Sequence, residues 1–146
     1  MANMLLGLLV MIGCLFVQAL LVVIAIGIHG RNQNLMEART FGGTLAVISS
    51  VMVVLMVGNF LQIMIWAIVF MQLGEFTDFA TATYHSAVNF ATLGYGDIVM
   101  SEEHRILGPM QSLNGVLMVG VSTAVVMSAL QDAVQRMRNR REAGGE

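Results

Sequence analysis

Charged residues divide the chain into three long apolar stretches, at approximately residues 4–28, 44–73 and 106–130. None of these stretches contains an aspartate, glutamate, lysine or arginine. Because about 20 apolar residues are enough for a helix to cross the hydrocarbon core of a bilayer, the pattern predicts three transmembrane helices. The first stretch lacks a preceding basic segment and is too long for a cleaved signal peptide. We therefore expect an N-terminal helix over residues 1–30 to be retained.

The segment between the second and third stretches, residues 74–105, predicts a short helix that does not cross the membrane. Thr77 or Asp78 can cap its start, and apolar residues then recur at helical spacing. A helix over residues 78–91 is too short to span a bilayer. Irregular backbone survives at membrane depth only where protein or a water-filled path surrounds it. We therefore expect a re-entrant helix followed by an extended loop.

Composition indicates a membrane protein without enzymatic chemistry. Of the 146 residues, 57% are hydrophobic and only 11% are charged, whereas soluble domains carry about a quarter charged residues. The net charge of -2 is too small to indicate a nucleic-acid partner. The single cysteine, Cys14, excludes an intrachain disulfide. No nucleophile–base pair and no cluster of metal ligands is visible in the sequence, so we expect neither enzymatic activity nor a cofactor.

Basic residues indicate on which side of the membrane each segment lies. Arg31 and Arg39 fall between the first and second stretches, and four more arginines follow the third: Arg136, Arg138, Arg140 and Arg141. Cytoplasmic loops are enriched in basic residues. We therefore expect the N-terminus outside a cell inner or plasma membrane and the tail, residues 131–146, in the cytoplasm. The four tail arginines also make anionic lipid a candidate partner.

The most informative motif is a run of six residues that ends the re-entrant segment: Thr92, Leu93, Gly94, Tyr95, Gly96 and Asp97. Its glycines permit the left-handed dihedral angles that a strand needs to turn its carbonyls toward a common axis. A Gly-Tyr-Gly triplet also occurs in surface loops, but this one follows a short helix between two apolar stretches. The motif resembles the selectivity filter of the potassium-channel pore family, in which four Thr-Val-Gly-Tyr-Gly loops replace the hydration shell of the ion. The chain departs from that string at Leu93.

The resemblance implies an all-α membrane fold that assembles as a homotetramer around a pore. It covers residues 44–130, comprising an outer helix at 44–73, a pore helix at 78–91, the filter at 92–97 and an inner helix at 106–130. The helix over residues 1–30 lies outside this pattern.

The resemblance also implies K⁺ as the permeant ion. The backbone carbonyls of the filter would form the ion path, and the oxygens that bind dehydrated K⁺ would come from Thr92, Leu93, Gly94, Tyr95 and Gly96.

Support for the filter is expected from the pore helix. Many bacterial relatives carry two tryptophans where Tyr84 and His85 stand here, and some carry a glutamate at the position of Val88. That glutamate pairs with the aspartate after the filter, which Val88 cannot do. We therefore expect Tyr84 to donate a hydrogen bond to Asp97, and His85 to reach Tyr95.

The inner helix carries a candidate hinge at Gly120, since inner helices of this family often bend at a glycine. Close helix packing at a small residue is the alternative. With this hinge, the side chains expected to face the cavity are Val121, Ala124 and Ser128. Asp132 is expected near the inner mouth, where acidic rings attract cations, or else as a solvated residue just beyond the membrane.

Three further side chains invite a specific interpretation. His85 and His104 are candidate proton sensors, because histidine titrates near neutral pH. Trp66 is expected to anchor the second helix at a membrane–water interface.

These features together predict a potassium-selective channel subunit that conducts passively and performs no covalent chemistry. Two alternatives stay open. A weakly selective cation channel would follow from the altered residues behind the filter, and a non-conducting membrane interaction subunit could keep a pore-like loop. No stretch carries regularly spaced arginines, so we expect no voltage-sensor domain.

Overall fold

A computed structural model describes residues 1–31 and 41–143. The described part of the chain forms four helices: α1 (Ala2–Arg31), α2 (Phe41–Gln72), α3 (Phe79–Phe90) and α4 (Leu107–Ala143). The predicted all-α class is therefore confirmed. Arg39 lies outside the described residues, as do the side chains of Arg31, Arg136, Arg140 and Arg141.

Three of the helices are long and apolar enough to cross a membrane. The apolar segments are Ala2–Gly27 in α1, Leu45–Gln72 in α2 and Leu107–Gln135 in α4. The prediction of three transmembrane helices is confirmed, and the protein is an integral membrane protein. The fourth helix, α3, is the predicted short helix between the second and third spans.

The start of α3 is set by Asp78. Its backbone is extended, with φ −111° and ψ 130°, and its carboxylate accepts a hydrogen bond from the Thr81 amide at 2.9 Å. This bond satisfies one of the amide groups that the first turn of a helix leaves unpaired. Of the two capping residues that the sequence offered, the structure uses Asp78.

The inner helix α4 continues well beyond residue 130. The residues from 131 to 143 contain neither glycine nor proline, and most of them are good helix formers, so nothing in the sequence ends the helix before Ala143. The segment that we described as a tail is therefore helical through its described part.

The first helix packs against α2 and α4 within one protomer. Cys14 of α1 is fully buried in an apolar cluster with Trp66 and Phe70 of α2 and Leu107 of α4. The prediction that Trp66 anchors a membrane interface is wrong, because its side chain is completely enclosed in this cluster. The prediction used the position of Trp66 near the end of the second stretch, and it did not foresee that α1 covers the indole.

Amide side chains join the three long helices inside the apolar layer. Gln62 of α2 donates to Gln18 Oε1 of α1 at 2.8 Å and accepts from Asn114 of α4 at 3.3 Å. Gln18 in turn donates to Ser122 Oγ of α4 at 3.2 Å. Interhelical hydrogen bonds of this kind contribute about 0.6–2 kcal/mol each in a membrane. Gln18, a polar residue within the first apolar stretch, therefore joins α1 to both α2 and α4 by hydrogen bonds.

Candidate functional site

Every second residue in the segment that follows α3 has a left-handed backbone conformation. Thr92, Gly94 and Gly96 have φ values of 58°, 58° and 73°, whereas Leu93 and Tyr95 between them do not have positive φ. Glycine takes up this conformation without steric cost. Thr92 is β-branched, and a left-handed conformation there costs about 1–3 kcal/mol, which the surrounding structure must offset.

The conformation of Thr92 is explained by the way α3 ends. The Thr92 amide donates to the Asn89 carbonyl and the Leu93 amide to the Val88 carbonyl, both at 2.9 Å. This pair of bonds is a Schellman motif, whose left-handed residue after the helix is usually glycine. Thr92 therefore caps the short helix and begins the Gly-rich segment of residues 92–97, which we call the Gly-rich strand. This role could not be predicted from the sequence, because a threonine gives no signal for such a cap.

Behind the strand, Tyr84 holds the carboxylate of Asp97. The Tyr84 hydroxyl donates to Asp97 Oδ2 at 2.6 Å, and the Ile98 amide donates to Oδ1 at 3.0 Å. The bond from Tyr84 is the main reason that the pKa of Asp97 lies below its usual value, and the same bond raises the pKa of Tyr84. The hydrogen bond expected from the sequence is present in the structure.

The second expected contact is absent, because both ring nitrogens of His85 have other partners. Nδ1 lies 3.0 Å from the Ile98 carbonyl oxygen, and Nε2 lies 2.9 Å from the side-chain amide nitrogen of Asn89. Within one protomer, the expectation that His85 reaches Tyr95 is wrong. The imidazole is turned toward the residue after Asp97, and Phe70 and Phe76 lie beside it at ring-centroid distances of 5.6 and 5.0 Å.

The inner helix holds the C-terminal half of α3 in place. Gln111 donates to the Ser86 carbonyl at 3.0 Å, the Ser86 hydroxyl donates to the Ile63 carbonyl of α2 at 2.6 Å, and Ser112 donates to the Asn89 carbonyl at 2.9 Å. Three of the four helices are thus linked by hydrogen bonds at this level. The position of the strand is consequently tied to both neighbouring spans.

Two glycines of α4 have different surroundings. A Cβ atom built on Gly115 would lie 2.1 Å from the Phe90 carbonyl oxygen, whereas one built on Gly120 would meet no atom within 4 Å. Close packing, the alternative that we weighed for Gly120, therefore occurs at Gly115 within the protomer.

A second polar cluster, formed by Glu75, Ser101 and His104, joins segments at one end of the helices. We name it the outer clamp after the side of the membrane that the sequence predicts for it. Glu75 accepts hydrogen bonds from the Ser101 amide at 2.7 Å, from the Ser101 hydroxyl, and from His104 Nδ1 at 2.6 Å. Burial raises the pKa of the Glu75 carboxyl, but these bonds outweigh burial and lower it overall. Asn3 of α1 donates to the Glu103 carbonyl at 2.6 Å, so the start of α1 lies at the same end of the molecule as this clamp.

One side of the strand opens into a groove of about 940 Å³. The groove is lined by Thr92, Gly94 and Gly96 together with Leu113 and Val116 of α4. Tyr95 and Val99 are exposed in the isolated protomer, at 65% and 73% of their surface. Because so much of its surface is uncovered, the Gly-rich strand of one chain does not form a closed binding site by itself.

The three predicted cavity residues of α4 lie on one face of the helix. Val121, Ala124 and Ser128 are all exposed in the protomer, and their spacing of three and four residues places them along one stripe. Ser128 and Asp132 also line a groove of about 340 Å³ beside Ala25 of α1.

Comparison with known proteins gives one match. The profile of the family described as "Ion channel" matches residues 56–132, a range that runs from the middle of α2 through the Gly-rich strand to α4. No curated protein and no solved structure matches the chain.

Proposed function

Because the chain belongs to the ion channel family, we propose that four copies of it form a potassium-selective pore. Membership of that family also means that the protein is not an enzyme. The observation that carries the proposal is the alternation of left-handed residues at positions 92, 94 and 96, placed directly after a short helix that does not span the membrane.

The alternation supports a path made of backbone carbonyls. Successive peptide planes in an extended strand point their carbonyls to opposite sides. A left-handed residue at every second position reverses this rotation, so that the carbonyls share one side. Carbonyl rings of this kind replace the hydration shell of K⁺. We assign the ring oxygens to Leu93, Gly94, Tyr95 and Gly96, with Thr92 completing the inner end.

The short helix contributes electrostatically to the same path. A helix C-terminus carries a partial negative charge of about half an electron, and α3 ends at Phe90, immediately before the strand. With residues 74–105 entering from outside, this end lies toward the middle of the bilayer. Four such ends around one axis would stabilise a cation there before it enters the carbonyl rings.

Assembly follows from the incompleteness of one chain. Each protomer supplies one strand, and identical chains close a ring most simply by cyclic symmetry. The exposed side chains of Tyr95 and Val99 and the open groove beside Leu113 offer surface for neighbouring copies. We propose a homotetramer, in which the face of α4 that carries Leu113 and Val116 continues along the conduction path, with Gly120 as its bending point.

We propose that the N-terminus lies outside and the C-terminus in the cytoplasm. The Asn3–Glu103 hydrogen bond places the start of α1 at the end of the molecule that also holds the outer clamp, and the arginines at positions 136–141 lie at the far end of α4. Basic residues favour the cytoplasmic side. The same arginines make anionic headgroups of the inner leaflet their proposed lipid partner.

Flux into liposomes that contain only this protein tests the proposal. We expect K⁺ uptake that Na⁺ does not match, and its loss in Gly94→Ala, because a side chain at φ 58° strains the backbone whatever the space around it. Gly13→Ala is the matched control, since a Cβ there also meets no atom and Gly13 lies in α1. Absence of flux from the unaltered protein, or equal flux from Gly94→Ala, would refute the proposal.

A second candidate is a weakly selective cation channel. Val88 offers no carboxylate behind the filter, and one tyrosine hydroxyl supports Asp97 instead, so the rings have a different support from the family pattern. Reversal potentials in mixtures of K⁺ and Na⁺ separate the two functions. A reversal potential that follows the K⁺ gradient alone supports strict selectivity. A reversal potential near zero, when the summed concentration of K⁺ and Na⁺ is equal on both sides, supports the second candidate.

A further inference from the structure

On the premise of the proposed channel function, we propose that His85 is a positioning residue for the outer end of the filter and works only as the neutral ring protonated on Nδ1. Protonation of its second nitrogen from the outside would break its bond to Asn89, loosen the hold of the ring on that end of the strand and reduce conduction. This role is distinct from that of Tyr84, which holds the side chain of Asp97 rather than the backbone.

The hydrogen bonds of His85 define which proton it carries. The Ile98 carbonyl can only accept, so Nδ1, 3.0 Å away, must be the donor. The Asn89 amide nitrogen can only donate, so Nε2, 2.9 Å away, must be the acceptor. The ring therefore links the last turn of α3 to the backbone just after the filter, and it does so in one tautomer of the neutral form.

A second proton on the ring is incompatible with this arrangement. Nε2–H and the Asn89 amide would then be two donors facing each other at 2.9 Å. The bond to Asn89 is then lost, and the bond to the Ile98 carbonyl is the one that the ring keeps. The added charge would also lie in a site that is 6% exposed, between Phe70 and Phe76, where a charge is poorly solvated.

The charged groups around His85 come from two segments outside its own helix. Asp97 after the filter and Glu75 at the end of α2 act on the ring at longer range, and Glu102 and Arg105 share its groove. The facing residues of α4 in that groove, Gly108, Pro109 and Ser112, carry no charge. Burial opposes the protonated ring more strongly than the bond to Ile98 and the two carboxylates favour it, so the pKa of His85 lies below its usual value.

External acidification tests this inference, because histidine is the side chain that titrates in this range. In the unaltered channel we expect K⁺ current to fall about tenfold between about pH 7.5 and about pH 5. The side chain of His85→Gln does not titrate, so its current should change by less than about twofold over the same range. His104→Asn removes the other candidate sensor and should leave the acid response intact.

Asn89→Asp provides the sharpest variant. A carboxylate at this position accepts a hydrogen bond from Nε2–H, so the protonated ring keeps both contacts and conduction should persist in acid. Current that falls equally in Asn89→Asp and the unaltered channel would overturn the proposal, as would an acid response that survives in His85→Gln or disappears in His104→Asn.

Nitrogen NMR of the unaltered protein labelled at histidine makes the test independent of how the variants fold. The His85 signals are those that disappear in His85→Gln. At about pH 7.5 we expect the His85 ring to be neutral and protonated on Nδ1. A His85 ring protonated on Nε2 or on both nitrogens would overturn the inference. Absence of K⁺ current at that pH would instead refute the proposed function. Current that ignores pH would refute only the role of His85.

Discussion

Gly115→Ala tests whether the position of the pore helix depends on backbone contact with the inner helix. The new Cβ would lie 2.1 Å from the Phe90 carbonyl oxygen, 2.9 Å from the carbonyl carbon and 3.1 Å from its Cα. Non-bonded heavy atoms pack at about 3.5 Å, so the two helices would have to separate by about 1 Å. Because the atoms met belong to backbone and not to a flexible side chain, no rotamer change can relieve the contact.

The expected cost is the difference between two opposing effects. Alanine is favoured over glycine in a helix by about 1 kcal/mol, whereas overpacking of a well-packed site costs about 1–3 kcal/mol and occasionally more. Gly13→Ala gains the first effect without the second, since a Cβ there meets no atom. We therefore expect Gly115→Ala to be less stable than Gly13→Ala by about 1–3 kcal/mol.

Thermal denaturation of the purified protein in detergent, followed by loss of helical signal and of the assembled form, measures this difference. K⁺ flux from the same preparations reports the second consequence. Movement of Phe90 displaces Thr92, two residues further on, so flux should fall even at temperatures where Gly115→Ala remains folded. Gly115→Ala with the stability and flux of Gly13→Ala would refute the reasoning.

Three further outcomes are expected. Tyr84→Phe removes the hydroxyl that holds Asp97, so current should decline faster during sustained opening, and an unchanged time course would exclude this role. Gln62→Leu leaves the Gln18 carbonyl oxygen without its buried partner at a cost of about 1–3 kcal/mol, measurable as a lower denaturation temperature. Glu75 has a pKa lowered from 4.5 in the folded protein, so its stabilisation is present at neutral pH and is lost as the pH falls through that lowered pKa. Glu75→Gln should therefore flatten the acid dependence of thermal stability, and an unchanged acid profile would show that Glu75 does not contribute.

Local physical rules account for what the sequence predicted well. Uncharged stretches of membrane-spanning length gave the three long helices, and a capping aspartate gave the start of α3. The Tyr84–Asp97 bond was expected from the resemblance, which places Tyr84 at a pore-helix position beside the end of the filter. The helices and the cap depend on signals within one stretch or a few residues.

Contacts between distant segments account for what the sequence did not reveal. Gln18 is separated from its partner on α4 by 104 residues, and a uniformly apolar helix gives no indication of which face meets a neighbour. The burial of Trp66, the partners of His85 and the close approach at Gly115 all depend on that packing. A glycine in a sequence permits a close approach or a bend, and only the neighbouring backbone distinguishes the two.

In the proposed tetramer each polypeptide provides just a single one of the strands from which the ring is built, and this has a genetic consequence. If altered and unaltered chains are made in equal amounts and mix freely in fourfold assemblies, only about one assembly in sixteen consists wholly of unaltered chains. A defect at Gly94 in one gene copy would then silence most channels in the cell, whereas the same defect in a protein that works as a monomer would silence half.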